Sequence, residues 1–389
     1  MQKRSVKAPV NIAVIKYWGK RDKELNLPLN GSLSVTLSIS KLYTLTSVAC
    51  SRGFKKDRFW LNGREENELN ERMKTCLLLL RSLRRSKESR EPGLERLSEQ
   101  YLHIVSENNF PTAAGLASSA SGYAALIKGI AELYDLDESS EELSCIARQG
   151  SGSACRSLMG GFVLWKMGVL KDGSDSFAEQ IASKTQWEDL RVLIIIVSSS
   201  SKKVSSTKGM QATVLTSNLF QHRIKHVDFY IKKMENAIKQ KDFESFAELT
   251  MKDSNQFHAT CLDTFPPVFY LNDTSTSLIQ LIHEINRLSK KTIAAYTFDA
   301  GPNAVIYFLK ENEDLLLGTL HDCLSNVDGW SYKYNNIKLN ISDDYFLPIH
   351  GKVNKVIITE IGDGTVQTSE SLINSNGYPI YNCNSKEKV

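Results

Sequence analysis

The chain has no long apolar run, no closely spaced cysteine pair and no apolar segment behind its basic N-terminus. Each absence removes a class. The longest strongly apolar stretch, VLIIIV at Val192 to Val197, falls far short of the roughly 20 residues that a bilayer-spanning helix needs, and reads as a buried strand. The seven cysteines are odd in number and scattered without a C-x-x-C pair, which points to reduced thiols rather than a disulfide frame or a zinc site. MQKRSVKAPVN carries basic residues with no apolar h-region after them, and NSKEKV is neither an anchor nor a peroxisomal tripeptide. A chain of the cytoplasm, without a membrane partner, is expected. Charge of one sign is missing too: 48 Lys and Arg against 44 Asp and Glu leave +4 over 389 residues. The basic stretch RSLRRSKESREPGLER, from Arg81 to Arg96, is interleaved with acids and lacks stacking aromatics. It reads as a solvated helix face and loop, and no nucleic-acid partner is expected.

What is present is a chain too long for one core, since single cores stop growing at about 250 to 300 residues, so two lobes are expected. SLSVTLSIS, YTLTSVAC and RFWLNG read as strands. In ERMKTCLLLLRSLRR, Met73, Cys76 with Leu77, Leu80 and Leu83 recur at helical spacing and predict an amphipathic helix. The strand at 191 to 197 is followed by SSSSKKVSSTKGM, a loop by composition, and the lobe boundary is placed there, dividing the chain into 1–200 and 201–389. Beyond it, KHVDFYIKKMENAIKQKDFESFAELTMKDSN and LIQLIHEINRL, with Leu278, Ile282 and Ile285, predict helices. TIAAYTF and AVIYFL predict a hairpin around DAGPN, and VIITEI a further strand. The pattern is that of an α+β protein.

SENNFPTAAGLASSASGYAAL, from Ser106 to Leu126, concentrates small residues and hydroxyls in a turn that runs into an Ala-rich helix. Pro111 ends the preceding extended segment, while Ala113, Ala114 and Gly115 keep bulk low where a ligand approaches the backbone. Ser118 and Ser119 then stand near the helix start, where unpaired N–H groups favour an anion and a hydroxyl can reach a phosphate oxygen or its Mg2+. The competing reading is a helix whose small face packs closely on a sheet. There is no G-K-[ST] of a P-loop, and Lys128 lies too far into the helix to replace its lysine.

APVNIAVIKYWGKRD (Ala8 to Asp22), the Ser/Gly-rich loop, GSGSACRSL (Gly150 to Leu158) and FDAGPNA (Phe298 to Ala304) stand in this order, with MKDSNQFHATCLDTFPP (Met251 to Pro267) between the last two. Over roughly residues 6 to 310 the chain closely resembles eukaryotic-type mevalonate diphosphate decarboxylases. These belong to the superfamily of galactokinase, homoserine kinase, mevalonate kinase and phosphomevalonate kinase. The resemblance implies an N-terminal lobe like the second domain of ribosomal protein S5, a ferredoxin-like C-terminal lobe, a cleft between them, and a homodimer. It implies ATP and Mg2+ as cofactors and diphosphomevalonate as substrate. It places Asp299 at the substrate's tertiary 3-hydroxyl, with Lys16 as partner, and Arg156 on the C1 carboxylate with Asn11 positioning it. Tyr17, Lys20, Arg72, Ser151, Ser153 and Ser206 match the diphosphate end. Pro111 to Ser119 match the ATP phosphates, with Ser106 nearer the adenosine and Ser118 or Ser119 as the Mg2+ hydroxyl. His258 and Cys155 read as structural. A kinase of the same superfamily that phosphorylates and stops is the nearest rival, because a sequence does not show whether CO2 leaves.

Overall fold

The computed structural model describes residues 1–110, 118–197, 204–330 and 337–380. Its helices are α1 (Glu71–Arg90), α2 (Ser118–Leu133), α3 (Ser140–Gly150), α4 (Ser206–Thr216), α5 (Asn218–Gln240), α6 (Phe243–Asp263), α7 (Asp273–Leu288) and α8 (Glu313–Leu324). The expected amphipathic helix is α1, burying Met73, Cys76, Leu77 and Leu80, with Asn70 capping its N-terminus through a bond from the Met73 N–H.

Two larger sheets are built mainly from the first half of the chain. A six-stranded sheet runs Val366–Gln367, Gln2–Pro9, Tyr43–Ser51, Tyr101–Asn108, Arg58–Leu61, Arg64–Glu65. Helix α2 lies against its Gln2–Pro9 and Tyr43–Ser51 strands, burying Ala120, Ala124 and Ala125, which lack the bulk to hold helix and sheet apart. A four-stranded antiparallel sheet follows, in the order Ala178–Ala182, Phe162–Trp165, Ser32–Thr36, Asn11–Ile15.

The third sheet is antiparallel, in the order Ala294–Phe298, Ala304–Leu309, Leu190–Val197, Val353–Glu360. Chain order through it is strand, helices α4 to α7, two hairpin strands, α8, strand, which is the split βαβ arrangement of ferredoxin-like folds. The α+β expectation and the DAGPN hairpin are both met. The 190–197 strand belongs to this sheet and not to the N-terminal ones, so the change of sheet precedes Leu190 rather than falling at 200. Its run is buried on both faces, which suits a strand with neighbours on either side and helices above. The chain's end departs from the expected division as well: Val366–Gln367 pairs with Gln2–Pro9 and covers the edge of the N-terminal sheet.

One core joins the lobes. Ile12 and Val14 of the second sheet, with Val10 just before them, pack in the same cluster as Leu193, Ile195, Tyr296 and Tyr307 of the third, with Phe246 and Ala247 of α6. Helix α6 rests on both the Asn11–Ile15 and Ala294–Phe298 strands.

The basic stretch after Arg81 is largely the solvated helix face and loop expected, with Arg85, Arg90 and Arg96 exposed, but three of its cations are held in place. Arg81 forms a two-pronged pair with Asp57, and Lys87 reaches the carboxylates of Asp135 and Asp137. Arg84 is buried, donating to Glu88, to the Tyr134 carbonyl at 2.5 Å and to the Glu95 carbonyl at 2.9 Å. Long aliphatic stems let these residues cover the apolar stripe while their heads satisfy carbonyls at the ends of neighbouring segments. Arg84→Ala takes the counter-ion from Glu88, which keeps only its bonds from the Ser98 N–H and Oγ, and leaves the Tyr134 and Glu95 carbonyls without this donor, so it should lower unfolding free energy by about 3 kcal/mol. Urea titration at unchanged m-value measures it; a loss below about 1 kcal/mol would mean that the site is wet.

Candidate active site

Lys16 leaves the end of the Asn11–Ile15 strand, and Asp299 follows the end of Ala294–Phe298. Docking the two sheets brings them together. The ammonium Nζ is 2.6 Å from Asp299 Oδ1 and donates also to the Ala13 carbonyl at 2.8 Å. Lys16 is 3% exposed and the Asp299 side chain 32%, so the lysine is sealed behind a carboxylate that faces the cleft. The cleft encloses about 430 Å3.

Arg156 stands in the 3-10 turn Gly152–Leu158, which continues from α3 through Ser151. Its Nε donates to Asn11 Oδ1 at 3.2 Å, while Asn11 Nδ2 donates to Ser157 Oγ at 2.8 Å and the Ser153 carbonyl at 3.0 Å. Arg156 Nη1 is buried with no partner, and the guanidinium forms no ion pair among the described residues. An orphaned donor of this kind costs about 1 to 3 kcal/mol, a cost that an anionic ligand in the cleft would remove. Burial lowers the Arg156 pKa from its ordinary value, yet arginine stays charged across the working pH range.

Around this pair the lining is cationic and rich in hydroxyls. Tyr17 packs its ring 4.6 Å from Trp165 and leaves a buried hydroxyl without a partner; burial raises its pKa, so it remains a donor. Lys20 is pushed down to about 8, by burial first and by Arg72 second. Gly152 lets the turn approach these rings: a Cβ there would lie 2.9 Å from Trp165 and 3.0 Å from Tyr17. Ser119 Oγ lies 3.3 Å from Ser151 Oγ. Three helical starts, at Ser118, Gly152 and Ser206, open onto one space. Four cations, Lys16, Lys20, Arg72 and Arg156, face a single lining carboxylate among the described residues, with the positive ends of these helical dipoles beside them, and such a field selects a polyanion.

Every substrate-side residue expected from the sequence lines this cleft: Asn11, Lys16, Tyr17, Lys20, Arg72, Ser151, Ser153, Arg156, Ser206 and Asp299. Ser206, expected in a loop, is instead the first residue of α4, behind the cap Ser205, whose Oγ accepts from the Lys208 N–H. Ser106 is not in the cleft. It lines a side chamber of about 210 Å3 walled by Phe59, Leu61, Met73 and Leu126, with Asn70, Asn108 and Tyr123 supplying polar groups. Ser118 and Ser119 line both spaces and stand where they meet. Pro111, Ala113, Ala114 and Gly115 lie outside the described residues. The competing reading of the Ala-rich helix is met in that α2 packs its small face on the sheet, while Ser118 and Ser119 of its first turn line the cleft.

Trp18, Thr207, Met210 and Phe257 complete the wall and were not singled out from the sequence. Trp18 and Phe257 are aromatics inside matched motifs, indistinguishable there from core. They pack at 4.8 Å, and Trp18 Nε1 donates to Thr213 Oγ1, tying α4 to the loop that carries Lys16. Cys155 is a packed thiol, pushed up to about 12 by burial. His258 is likewise behind the site: burial holds it neutral, at about 3, and its Nε2 donates to the Phe298 carbonyl at 3.3 Å.

A divalent cation here would find hydroxyls and one carboxylate rather than a cage. Such a donor set fits Mg2+ only in the company of phosphate oxygens, with Ser118 or Ser119 as the nearest hydroxyls.

Comparison with known proteins agrees with this geometry. Residues 8–178 match the model of a diphosphomevalonate decarboxylase-like N-terminal domain, and 192–368 that of the mevalonate 5-diphosphate decarboxylase C-terminal domain. The chain is 53% identical to the diphosphomevalonate decarboxylase of Schizosaccharomyces pombe, over 97% of each chain. A crystal structure of mevalonate 5-diphosphate decarboxylase superposes with a TM-score of 0.90 at 50% identity, covering 97% of this chain and 100% of that one. Another, MDDEF in complex with MVAPP, AMPPCP and magnesium, gives 0.75 at 32% identity over 95% and 99%. With both halves matched and identity above half along nearly the whole length, the chain belongs to the diphosphomevalonate decarboxylase family.

Proposed function

We propose that the protein converts (R)-5-diphosphomevalonate and ATP to isopentenyl diphosphate, CO2, ADP and phosphate, a step of the mevalonate route to isoprenoids and sterols. One observation carries the reading: a carboxylate fixed by a buried ammonium and an arginine with an unsatisfied donor line the same cationic cleft. The carboxylate suits a hydroxyl and the arginine suits a carboxylate.

Asp299 accepts the proton of the 3-hydroxyl, or orients that group, as its oxygen attacks the γ-phosphorus of ATP. Lys16 holds the carboxylate oxygen in place and offsets charge as phosphate transfers. The phosphorylated oxygen is a good leaving group. As its bond to C3 breaks, the electrons of the bond to the carboxylate carbon form the alkene, and CO2 departs. Arg156 grips that carboxylate with its fork, steadied by Asn11. Tyr17, Lys20, Arg72, Ser151, Ser153 and Ser206 hold the diphosphate, while the aromatic wall of Trp18 and Phe257 keeps water from the electron-deficient carbon. Ser118 and Ser119 take the ATP phosphates where the two chambers meet, and the side chamber with Ser106 takes the adenosine. Ser118 or Ser119, together with those phosphates, would hold Mg2+, which would supply neutralisation of their charge. The N-terminal lobe thus serves the nucleotide and the C-terminal lobe supplies Asp299. A cytoplasmic homodimer belongs to the same proposal.

Asp299→Asn keeps shape and removes charge, so kcat should fall by at least about a hundredfold with ATP binding little changed. Near-normal turnover in the folded variant would remove Asp299 from the chemistry. Arg156→Lys keeps a charge and loses the fork, and should depress turnover far more than ATP binding. In the same assay the unmodified protein should release CO2 in equal amount with ADP from substrate labelled at C1. ADP without CO2 would make the protein a kinase.

Lys20 gives a pH dependence. With its free-site pKa near 8, it is charged below that pH and neutral above it. A bound diphosphate favours the ammonium and raises the pKa, so affinity is full below about 8 and falls by up to about tenfold per unit above it. The KM of the diphosphate substrate should rise from pH 8 to 9 in the unmodified protein and stay flat in Lys20→Met. Equal slopes would assign the titration elsewhere.

A further inference from the structure

One helix touches both halves of the catalytic pair. Asp253 of α6 is buried, and its Oδ2 accepts the backbone N–H of Lys16 at 2.7 Å. Its Oδ1 accepts from Nη2 of Arg223, a fully buried arginine on α5, at 2.8 Å. The same Nη2 donates to the Lys16 carbonyl at 3.1 Å, and Nη1 to Gln256 Oε1 at 2.6 Å. Both peptide groups flanking the Lys16 Cα are therefore held by one ion pair, with Asn30 Nδ2 a second donor to the Lys16 carbonyl at 3.0 Å. On the other side of α6, Ser254 Oγ accepts the Phe298 N–H at 3.1 Å and His258 donates to the Phe298 carbonyl, fixing the residue that precedes Asp299.

We propose that Asp253 and Arg223 are positioning residues for the reaction, acting with Ser254 through α6 to set Lys16 and Asp299 in register. The proposal rests on the reading that this pair carries the chemistry. Neither Asp253 nor Arg223 lines the cleft, so neither can touch substrate directly. Stability alone is a poor reason for the pair, because apolar residues of similar volume usually replace a buried ion pair without loss. What apolar residues do not supply is a directed acceptor and a directed donor on the two sides of Lys16. Its ammonium, placed at 2.6 Å from the carboxylate, is sensitive to shifts of a few tenths of an ångström in the backbone that carries it.

The test is the double variant Arg223→Met/Asp253→Leu, which leaves no unpaired charge, assayed beside Lys16→Met. The double variant should unfold near the unmodified midpoint, keep its KM for ATP and lose at least about thirtyfold in kcat. Combined with Lys16→Met it should cost less than about twofold more, because the residue through which it acts is already gone. Recovery of kcat to within about threefold in the folded double variant, or full additivity with Lys16→Met, overturns the proposal. If Lys16→Met itself turns over normally, the catalytic reading of the pair fails first and the proposal falls with it. Should the double variant not fold, Ser254→Ala decides: kcat reduced by about fivefold at unchanged KM supports the proposal, and unchanged kcat overturns it.

Discussion

The contact on which this molecule turns is the 2.6 Å pair between the Lys16 ammonium and the Asp299 carboxylate. Its members lie 283 residues apart and end strands of two different sheets. Neither sheet can place the pair alone. The shared core of Val10, Ile12 and Val14 with Leu193, Ile195 and Tyr307 fixes one sheet against the other, and α6 bridges the two strands that deliver the charges. A buried lysine is tolerable there because a carboxylate and the Ala13 carbonyl satisfy it.

Around the pair the protein accepts an electrostatic cost. Among the described residues, Arg156 is buried without an ion pair and Tyr17 keeps a hydroxyl with no partner, and Lys20 is pushed down to about 8 beside Arg72. A sequence selected for stability alone would pair these groups or replace them. Leaving them unpaired creates a preorganised field whose missing component is a polyanion, so binding energy goes into neutralising charges already in place. The largely apolar side chamber and the polar cleft share Ser118 and Ser119 in their walls.

Much of this was legible from the chain. Period-3.6 apolar positions marked α1 and α7, the DAGPN turn marked its hairpin, and motif resemblance collected twelve cleft residues, Ser118 and Ser119 included, without coordinates. The failures have physical causes. Arg84 and Lys87 read as solvated because charge is a surface prior, whereas their stems cover apolar area and their heads meet carbonyls from distant segments. Ser206 read as loop because serine and lysine dominate its neighbourhood, although Ser205 is a helix cap. Trp18 and Phe257 gave only the signal of core aromatics.

Taken by itself, the sequence determined local periodicity, the order of the motifs and the residue types that a phosphate- and carboxylate-binding site requires. These are short-range properties, set by a residue and its near neighbours. Tertiary structure alone decided that the Leu190–Val197 strand joins the later sheet and that Val366–Gln367 returns to the first. It set the 2.6 Å geometry of the Lys16–Asp299 pair that motif resemblance had named, and it alone brought Asp253 with Arg223 to the backbone of Lys16. Those contacts join segments up to several hundred residues apart. Their geometry follows from how sheets and helices pack around a common core, which no local pattern encodes.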